Sequence, residues 1–185
     1  RAATPSWQSA VEKSRPARTP VSLATGPKVG QHRWAEEMAN GNWDRILDEA
    51  RRAGVEATLE RASMEDLFAL SHAARYRRDA DLARAALLAE RRRFPTAPRT
   101  LDASYFLGRV EEMQRGGVAK AIAWYDEYLS RAPQGGYAAE ALGRKMTLTN
   151  EYGRTEEARP IAEEYLRRFP RGSYAGSARA LLRLP

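Results

Sequence analysis

A repeat of about 37 residues is the feature of this chain that most restricts its fold. Residues 83–95, 121–133 and 158–170 each place a small residue 12 positions before a proline. With an earlier, irregular copy, the aligned positions are Ile46, Ala83, Ala121 and Ala158, at intervals of 37, 38 and 37. A fixed period of this length indicates stacked helical hairpins, because each unit buries its apolar face only against its neighbours.

Residues that start and stop helices divide each unit in two. Five positions before the aligned residue the chain has Gly41, Arg78, Gly116 and Gly153. Glycine there favours the turn inside a hairpin, where the chain often needs a positive φ. The later proline ends the second helix because it cannot donate to the hydrogen-bond ladder. The first copy has Thr58 in place of this proline, an irregularity typical of a terminal unit.

These patterns predict an all-α domain over residues 30–185. The predicted hairpins span residues 30–54, 63–94, 98–132 and 136–169, and a capping helix spans 173–183. Ser63, with Asp66 three residues later, and Thr100 have the character of helix N-caps. Side chains that recur at helical spacing on the second helices should pack between repeats. They are Leu87, Leu88, Tyr125, Tyr128, Leu129, Tyr165 and Leu166.

Residues 1–29 differ from the rest of the chain in composition. They contain four prolines among scattered Ser, Thr and Gly, without a helical or alternating period. Such a segment buries too little apolar surface to offset its ordering entropy, so we expect a largely irregular linker. Residues 1–30 carry a charge of +4 out of the net +7, which leaves the repeats only mildly basic. Trp7 and residues 21–23 could dock on another surface. The start at Arg1, without an initiator methionine, suggests a fragment or a processed form.

The sequence offers little that could support catalysis. The chain has no cysteine, which excludes disulfides, thiolate metal sites and cysteine nucleophiles. Its two histidines, His32 and His72, lie 40 residues apart, outside any metal-ligand spacing. No phosphate loop or nucleophile elbow occurs, and the adjacent carboxylate pairs point different ways around their helices. We therefore expect no enzyme activity, no cofactor, no metal and no small-molecule substrate. The chain contains no run of 18 apolar residues, so the sequence predicts no membrane span.

Arginine clusters raise the alternative of nucleic-acid or anionic-surface binding. They occupy residues 51–52, 91–93 and 167–168. Each lies near the predicted end of a second helix, where cations offset the exposed carbonyl groups. They are interleaved with acidic residues rather than gathered with exposed aromatic residues. We interpret them as solvated helix ends, which makes a nucleic-acid partner the less favoured alternative.

The turn and first-helix residues resemble the tetratricopeptide repeat family. The match rests on residues 41–43 and 152–158 at the turns, on the Leu-Gly pairs 107–108 and 142–143, and on the late prolines. It covers roughly residues 30–183. The period exceeds the family's usual value of about 34 residues. The longer repeats resemble those of Tol–Pal accessory factors, outer-membrane assembly lipoproteins and sigma-factor regulators like the ferric-citrate regulator.

The resemblance implies a right-handed superhelix in which the first helices line a concave groove. A groove of this kind holds an extended peptide or a partner helix. The groove positions that it implies are Glu65, Phe68, His72, Arg75, Asp102, Tyr105, Arg109, Glu112, Tyr137, Glu140, Arg144 and Thr147. His72, Arg109 and Arg144 share one register, which predicts a basic column. Arginine beside aromatic residues suits an acidic ligand or a C-terminal carboxylate.

Together these features predict a non-catalytic protein–protein interaction scaffold, with Arg109, Arg144, Tyr105 and Tyr137 as anchors. The resemblance places it in a bacterial envelope or membrane-linked regulatory protein, in the periplasm, although a cytoplasmic location stays open. One alternative is a structural spacer or oligomerisation module whose groove is merely hydrated or is filled by the chain's own linker. The other alternative is the nucleic-acid or anionic-surface binder considered above.

Overall fold

A computed structural model describes residues 34–184 of the 185-residue chain. The predicted linker and the first residues of the predicted first hairpin lie outside this range. Within it the protein is all-α, as predicted, with ten helices and no strand. The helices are α1 (Trp34–Ala39), α2 (Trp43–Ala53), α3 (Val55–Arg61), α4 (Met64–Tyr76), α5 (Ala80–Arg93), α6 (Pro98–Glu112), α7 (Val118–Arg131), α8 (Ala138–Glu151), α9 (Thr155–Arg168) and α10 (Ala175–Leu182).

The helices pack mainly against their neighbours in sequence, as the units of a repeat array do. Four hairpins are formed by α1 with α2, α4 with α5, α6 with α7, and α8 with α9, and α10 covers α9. The short helix α3 is not predicted by the repeat pattern. It arises because α2 ends at Gly54, whose φ of 86° redirects the chain before helical geometry resumes. It then packs against α2 and α5.

The four turns inside the hairpins have the backbone conformation that the sequence predicts. Gly41, Gly116 and Gly153 have φ values of 72°, 74° and 77°. Arg78 occupies the equivalent position and adopts a φ of 59° although it carries a side chain. The left-handed region costs an L-residue roughly 1–2 kcal/mol. The second hairpin therefore keeps the shared turn geometry in spite of a residue that disfavours it.

The predicted helix ends are largely confirmed. Helices α5, α7 and α9 end two residues before Pro95, Pro133 and Pro170. The Ser63 hydroxyl accepts the Asp66 amide at 3.1 Å, which confirms that N-cap. The prediction for Thr100 is wrong, because α6 begins at Pro98, whose fixed φ suits the first turn of a helix. The Thr100 hydroxyl instead donates to the Phe94 carbonyl at 2.6 Å.

The core lies between the helices, where the repeat pattern predicts it. The four aligned positions Ile46, Ala83, Ala121 and Ala158 are fully buried. Leu87 and the tyrosines Tyr125, Tyr128 and Tyr165 are also buried, which confirms them as core residues. Leu88 was predicted with them, but it is 38 % exposed because it lies on the outer face of α5. Leu129 and Leu166 are half-buried at the edge of the core.

A repeated hydrogen bond, which we call the tyrosine joint, connects the third hairpin to the fourth and the fourth hairpin to α10. The Tyr128 hydroxyl accepts the backbone N–H of Tyr137 at 3.0 Å, and the Tyr165 hydroxyl accepts that of Tyr174 at 3.1 Å. Residues 128–137 and 165–174 share the pattern Tyr-Leu-x-Arg-x-Pro-x-Gly-x-Tyr. The glycines of the pattern, Gly135 and Gly172, are required because a Cβ there would overlap the tyrosine hydroxyl.

Several clustered arginines bind neighbouring hairpins rather than water alone. Arg91 donates to Ser104 and Glu127, and its guanidinium lies 5.0 Å from the ring centroid of Trp124. Arg93 donates to the Leu59 carbonyl at 3.0 Å, and Arg168 to the Pro133 carbonyl at 2.5 Å. The helix-end prediction holds for their positions. Their contacts add a function in holding the array together.

Substitution of the turn glycines tests the backbone argument. In Gly116→Ala or Gly153→Ala the new Cβ meets no atom within 4 Å, so only the positive φ opposes it. We expect each variant to lower the free energy of unfolding by about 1 kcal/mol in urea titrations. Gly136→Ala is the matched control, because that Cβ is equally free and the φ is not positive. Equal stability of all three variants would contradict the argument.

Candidate ligand pocket

A cavity of about 580 Å³ lies beside the turns of the second and third hairpins. We call it the arginine pocket. Its lining residues are Trp43, His72, Arg75, Tyr76, Arg78, Arg109, Met113 and Gln114. They come from the start of α2, the C-terminal halves of α4 and α6, and the following turns. The pocket therefore lies between first helices, on the side where the sequence predicts a groove.

The lining of the arginine pocket is positively charged. Arg75, Arg78 and Arg109 contribute three cations, and no carboxylate lines the cavity. His72 adds no charge near neutral pH, since burial, together with Arg75 and Arg99, lowers its pKa to about 4. Its ring packs between aromatic rings, 4.2 Å from Phe68 and 4.9 Å from Phe106. The pocket thus has the electrostatic character of an anion site.

Arg75 is the least compensated of these cations. Its guanidinium lies 4.6 Å from the ring centroid of Phe106 and is half-buried. Burial and the neighbouring Arg109 lower its pKa, and no carboxylate of the described residues acts against them. Its Nη1 atom is buried without an acceptor. A buried donor without a partner lowers stability, and an acceptor on a ligand in the cavity would remove that cost.

Two more polar atoms of the pocket residues are buried without a hydrogen-bond partner. They are the Arg109 Nε and His72 Nε2 atoms. The Arg109 Nη1 atom donates to the Tyr105 hydroxyl at 3.3 Å, while its Nε lies 3.6 Å from Glu112. Arg109 is therefore held by its neighbours on α6 and still has hydrogen-bonding capacity. With Arg75 it could bind a carboxylate by charge-assisted hydrogen bonds.

Apolar surface borders this charged region. Tyr76 is 64 % exposed and Met113 is 44 % exposed. The Tyr76 ring lies 5.1 Å from the ring of Trp43, which supplies an aromatic wall. Asp44 accepts hydrogen bonds from Arg77, which ties α2 to the end of α4 beside this wall. A ligand that presents both a carboxylate and an apolar side chain would match the two parts of the pocket.

The predicted basic column does not form as one surface. His72, Arg75 and Arg109 meet in the arginine pocket, but Arg144 binds Glu112 at 2.7 Å and Glu140 at 2.9 Å. Coulombic attraction by these carboxylates outweighs burial and raises the pKa of Arg144. Arg144 and Glu112 line a separate cavity of about 240 Å³ with Tyr174 and Glu151. The charge of Arg144 is therefore already satisfied within the protein.

The predicted aromatic anchors belong mainly to the core. Tyr105 is only 3 % exposed and stacks on the half-buried Tyr137 with 4.4 Å between ring centroids. Phe68 is half-buried below the guanidinium of Arg99, at 4.4 Å. Tyr105 cannot contact a partner unless the hairpins separate, so its prediction as a groove anchor is corrected. The tyrosine is drawn inward because aromatic rings fill the junction of α6, α7 and α8.

The remaining predicted positions are spread over the first helices. Asp102 is half-buried, and burial raises its pKa despite the attraction of Arg99. Glu140 accepts from Arg144 and from the Tyr174 hydroxyl, both at 2.9 Å. Glu65 is exposed and Thr147 bonds its own helix at the Gly143 carbonyl. None of these four lines the arginine pocket.

Five of the lining residues are absent from the sequence-based prediction. They are Trp43, Tyr76, Arg78, Met113 and Gln114. The predicted groove residues lie mainly along the middle of the first helices, whereas the pocket lies at the C-terminal ends of those helices. The run of arginines and tyrosine over residues 75–78 is the signal that could have located it. The position of Trp43 depends on how α2 packs against α4, which the repeat alone does not define.

Comparison with known proteins does not identify a relative. Neither a protein-family model nor a curated protein matches the chain. Residues 34–184 contain no group of three or more His, Asp or Glu side chains placed to bind a metal ion. No helix of that part of the chain combines the length and apolar character needed to cross a bilayer. The pocket geometry and the repeat pattern are therefore the basis of any functional inference.

The environment of His72 makes a prediction about pH. Its pKa of about 4 in the folded protein lies below the ordinary value of about 6.5. This group therefore stabilises the fold fully above about pH 6.5, and the contribution is lost as pH falls through about 4. Imidazole chemical shifts measured by NMR should show His72 titrating near pH 4 in the folded chain and near 6.5 in urea. Titration near 6.5 in both would contradict the burial argument.

Proposed function

We propose that this protein is a non-catalytic interaction scaffold whose first helices hold an acidic peptide or helix. The observation that carries the proposal is Arg75, a half-buried cation with a buried, unpartnered donor in the wall of a cavity. A ligand carboxylate would supply the missing acceptor. Buried polar groups that lower stability are typical of binding sites, where function rather than stability favours the residue.

A peptide side chain fits the pocket better than an inorganic anion does. The volume of about 580 Å³ falls in the range of ligand sites, roughly 300–1,000 Å³, and exceeds what a single small ion occupies. Tyr76 and Met113 offer apolar contact beside the cations. Trp, Tyr and Arg are the residues most enriched at binding hot spots. These features favour an acidic residue followed or preceded by an apolar one.

The helical repeat supports a scaffold of the tetratricopeptide type. A location in a bacterial envelope or regulatory protein remains part of the proposal and rests on the resemblance in sequence. A nucleic-acid binder is less well supported, because Arg91, Arg93 and Arg168 are already engaged within the protein. A pure spacer would give no reason for an uncompensated cation at Arg75.

Replacement of Arg75 separates binding from stability. In Arg75→Met the unpartnered donor is removed while a flexible apolar chain keeps its packing on Phe106. We expect the free energy of unfolding to stay level or rise by about 0.5–2 kcal/mol, as at other sites where function opposes stability. Arg144→Met is the control. It should lower stability, because it removes the cation that binds both Glu112 and Glu140. Loss of stability in Arg75→Met would show that Arg75 is structural.

A selection experiment tests the ligand class. A display library of random short peptides is selected on the full chain, and enriched peptides are measured by fluorescence polarisation. We expect enrichment of sequences that combine Asp or Glu with an aromatic or aliphatic residue. Their affinity should fall at least about tenfold in Arg75→Met and with rising salt. Arg92→Met, at an exposed position away from the pocket, is the matched control.

Two outcomes would overturn the proposal. One is selection without enrichment, which favours the spacer alternative. The other is peptide binding that is equal in wild type, Arg75→Met and Arg92→Met, which places the interaction outside the arginine pocket. If labelled nucleic acid bound more tightly than acidic peptide in fluorescence polarisation, that result would favour the nucleic-acid or anionic-surface binder.

A further inference from the structure

The joint between the second and third hairpins departs from the tyrosine joint that the later hairpins share. By the repeat spacing, Glu90 takes the place of Tyr128 and Tyr165, and Ala97 takes the place of Gly135 and Gly172. The backbone turn itself is unchanged. The Ala97 amide donates to the Phe94 carbonyl at 3.1 Å, as the Gly135 amide donates to the Ala132 carbonyl at 3.0 Å. At this repeat position a carboxyl group thus replaces the hydroxyl, beside a turn with the same backbone hydrogen bond.

Glu90 is buried without a partner. The residue is 1 % exposed, and both carboxyl oxygens lie inside the protein without a hydrogen-bond donor. Arg99, whose charge acts on Glu90 more strongly than that of any other residue, lies over the ring of Phe68 instead. An ionised carboxylate in such a place costs several kcal/mol, so the group is favoured in its neutral form.

The charges around Glu90 do not offset this burial. Arg99, at the start of α6, favours the carboxylate form, whereas Asp102 of α6 and Glu65 of α4 oppose it. No charged group of α3, which also packs against α5, acts on it. Burial dominates and raises the pKa of Glu90 to about 7. The group therefore changes charge in the physiological range.

We propose that Glu90 is a proton-controlled joint between the second and third hairpins. When it is protonated, the neutral side chain stays in the core and α5 packs closely on the start of α6. When it is ionised, the buried charge draws water or Arg99 toward it and loosens that contact. The other two joints hold, in place of a buried carboxyl, a tyrosine hydroxyl that accepts a backbone N–H.

The arginine pocket lies across the same two hairpins. Arg75 stands on α4 and Arg109 on α6, so the packing of the two hairpins sets the separation of the two guanidinium groups. Ionisation of Glu90 would therefore alter the pocket as well as the joint. This consequence rests on the proposed function, whereas the proton-controlled joint stands on the fold alone.

The test compares the full chain with Glu90→Gln, which keeps the shape and removes the charge. Unfolding equilibrium constants are measured by urea titration between about pH 5 and pH 8. Relative to the variant, the wild-type constant should rise with pH by up to roughly tenfold per unit until about pH 7, because the unfolded carboxyl has a pKa near 4.3. The comparison cancels contributions from groups that do not act on Glu90, such as His72. A ratio that stays constant over this range would overturn the proposal.

Amide hydrogen exchange locates the effect without any substitution. After correction for intrinsic rates, protection of the first turn of α6 should fall between about pH 6 and pH 8, while that of the first turn of α8 stays constant. Equal behaviour of the two helices would contradict a local joint.

A repair variant provides the complementary result. Glu90→Tyr with Ala97→Gly restores the residues of the tyrosine joint, and the backbone N–H of Arg99 stands where those of Tyr137 and Tyr174 donate. It should abolish the pH-dependent change in α6. Ala97→Gly alone is the control and should retain that change. A pH dependence that survives in the double variant would overturn the assignment to Glu90. Peptide binding does not enter any of these measurements, so a failure of the proposed function would leave them interpretable.

Discussion

In the C-terminal half of the array, stacking of one unit on the next depends on a single tyrosine side chain that crosses each joint. At the two later joints a buried tyrosine hydroxyl accepts an amide at the start of the following unit, and a glycine leaves it room. The bond satisfies a donor at a helix N-terminus, where donors otherwise lack partners. It also fixes where the next first helix begins relative to the last second helix. At these two joints the spacing of the helices on either side follows from this contact.

The second hairpin departs from the common pattern at several places at once. Arg78 replaces a turn glycine, Glu90 replaces the joint tyrosine, and Ala97 replaces the joint glycine. Arg78 is locally unfavourable because of its positive φ, and Glu90 because its carboxyl is buried without a partner. The arginine pocket adjoins this hairpin. Natural proteins concentrate such departures at functional sites, which is consistent with a site here.

Electrostatics distinguishes the pocket from the rest of the surface. Several arginines elsewhere pair with carboxylates or carbonyl groups, as Arg144 does with Glu112 and Arg168 with Glu164 and Pro133. In the pocket, Arg75 and Arg109 face each other across a cavity without an acid in its lining. Cations in this arrangement repel, and an incoming anion relieves the repulsion. Arginines bound to neighbouring helices therefore hold the array together, whereas Arg75, which has a buried donor without an acceptor, is available to a ligand.

The sequence by itself determined the helical class, the hairpin turns and the ends of the second helices, because glycine, proline and small residues act locally and recur at a fixed interval. It also identified Tyr125, Tyr128 and Tyr165 as core. Only the tertiary structure decided which groove residues are free. Tyr105 turned inward and Arg144 met two carboxylates, while Trp43 reached the pocket from another unit. Such pairings depend on distances between hairpins, and a one-dimensional period does not encode them.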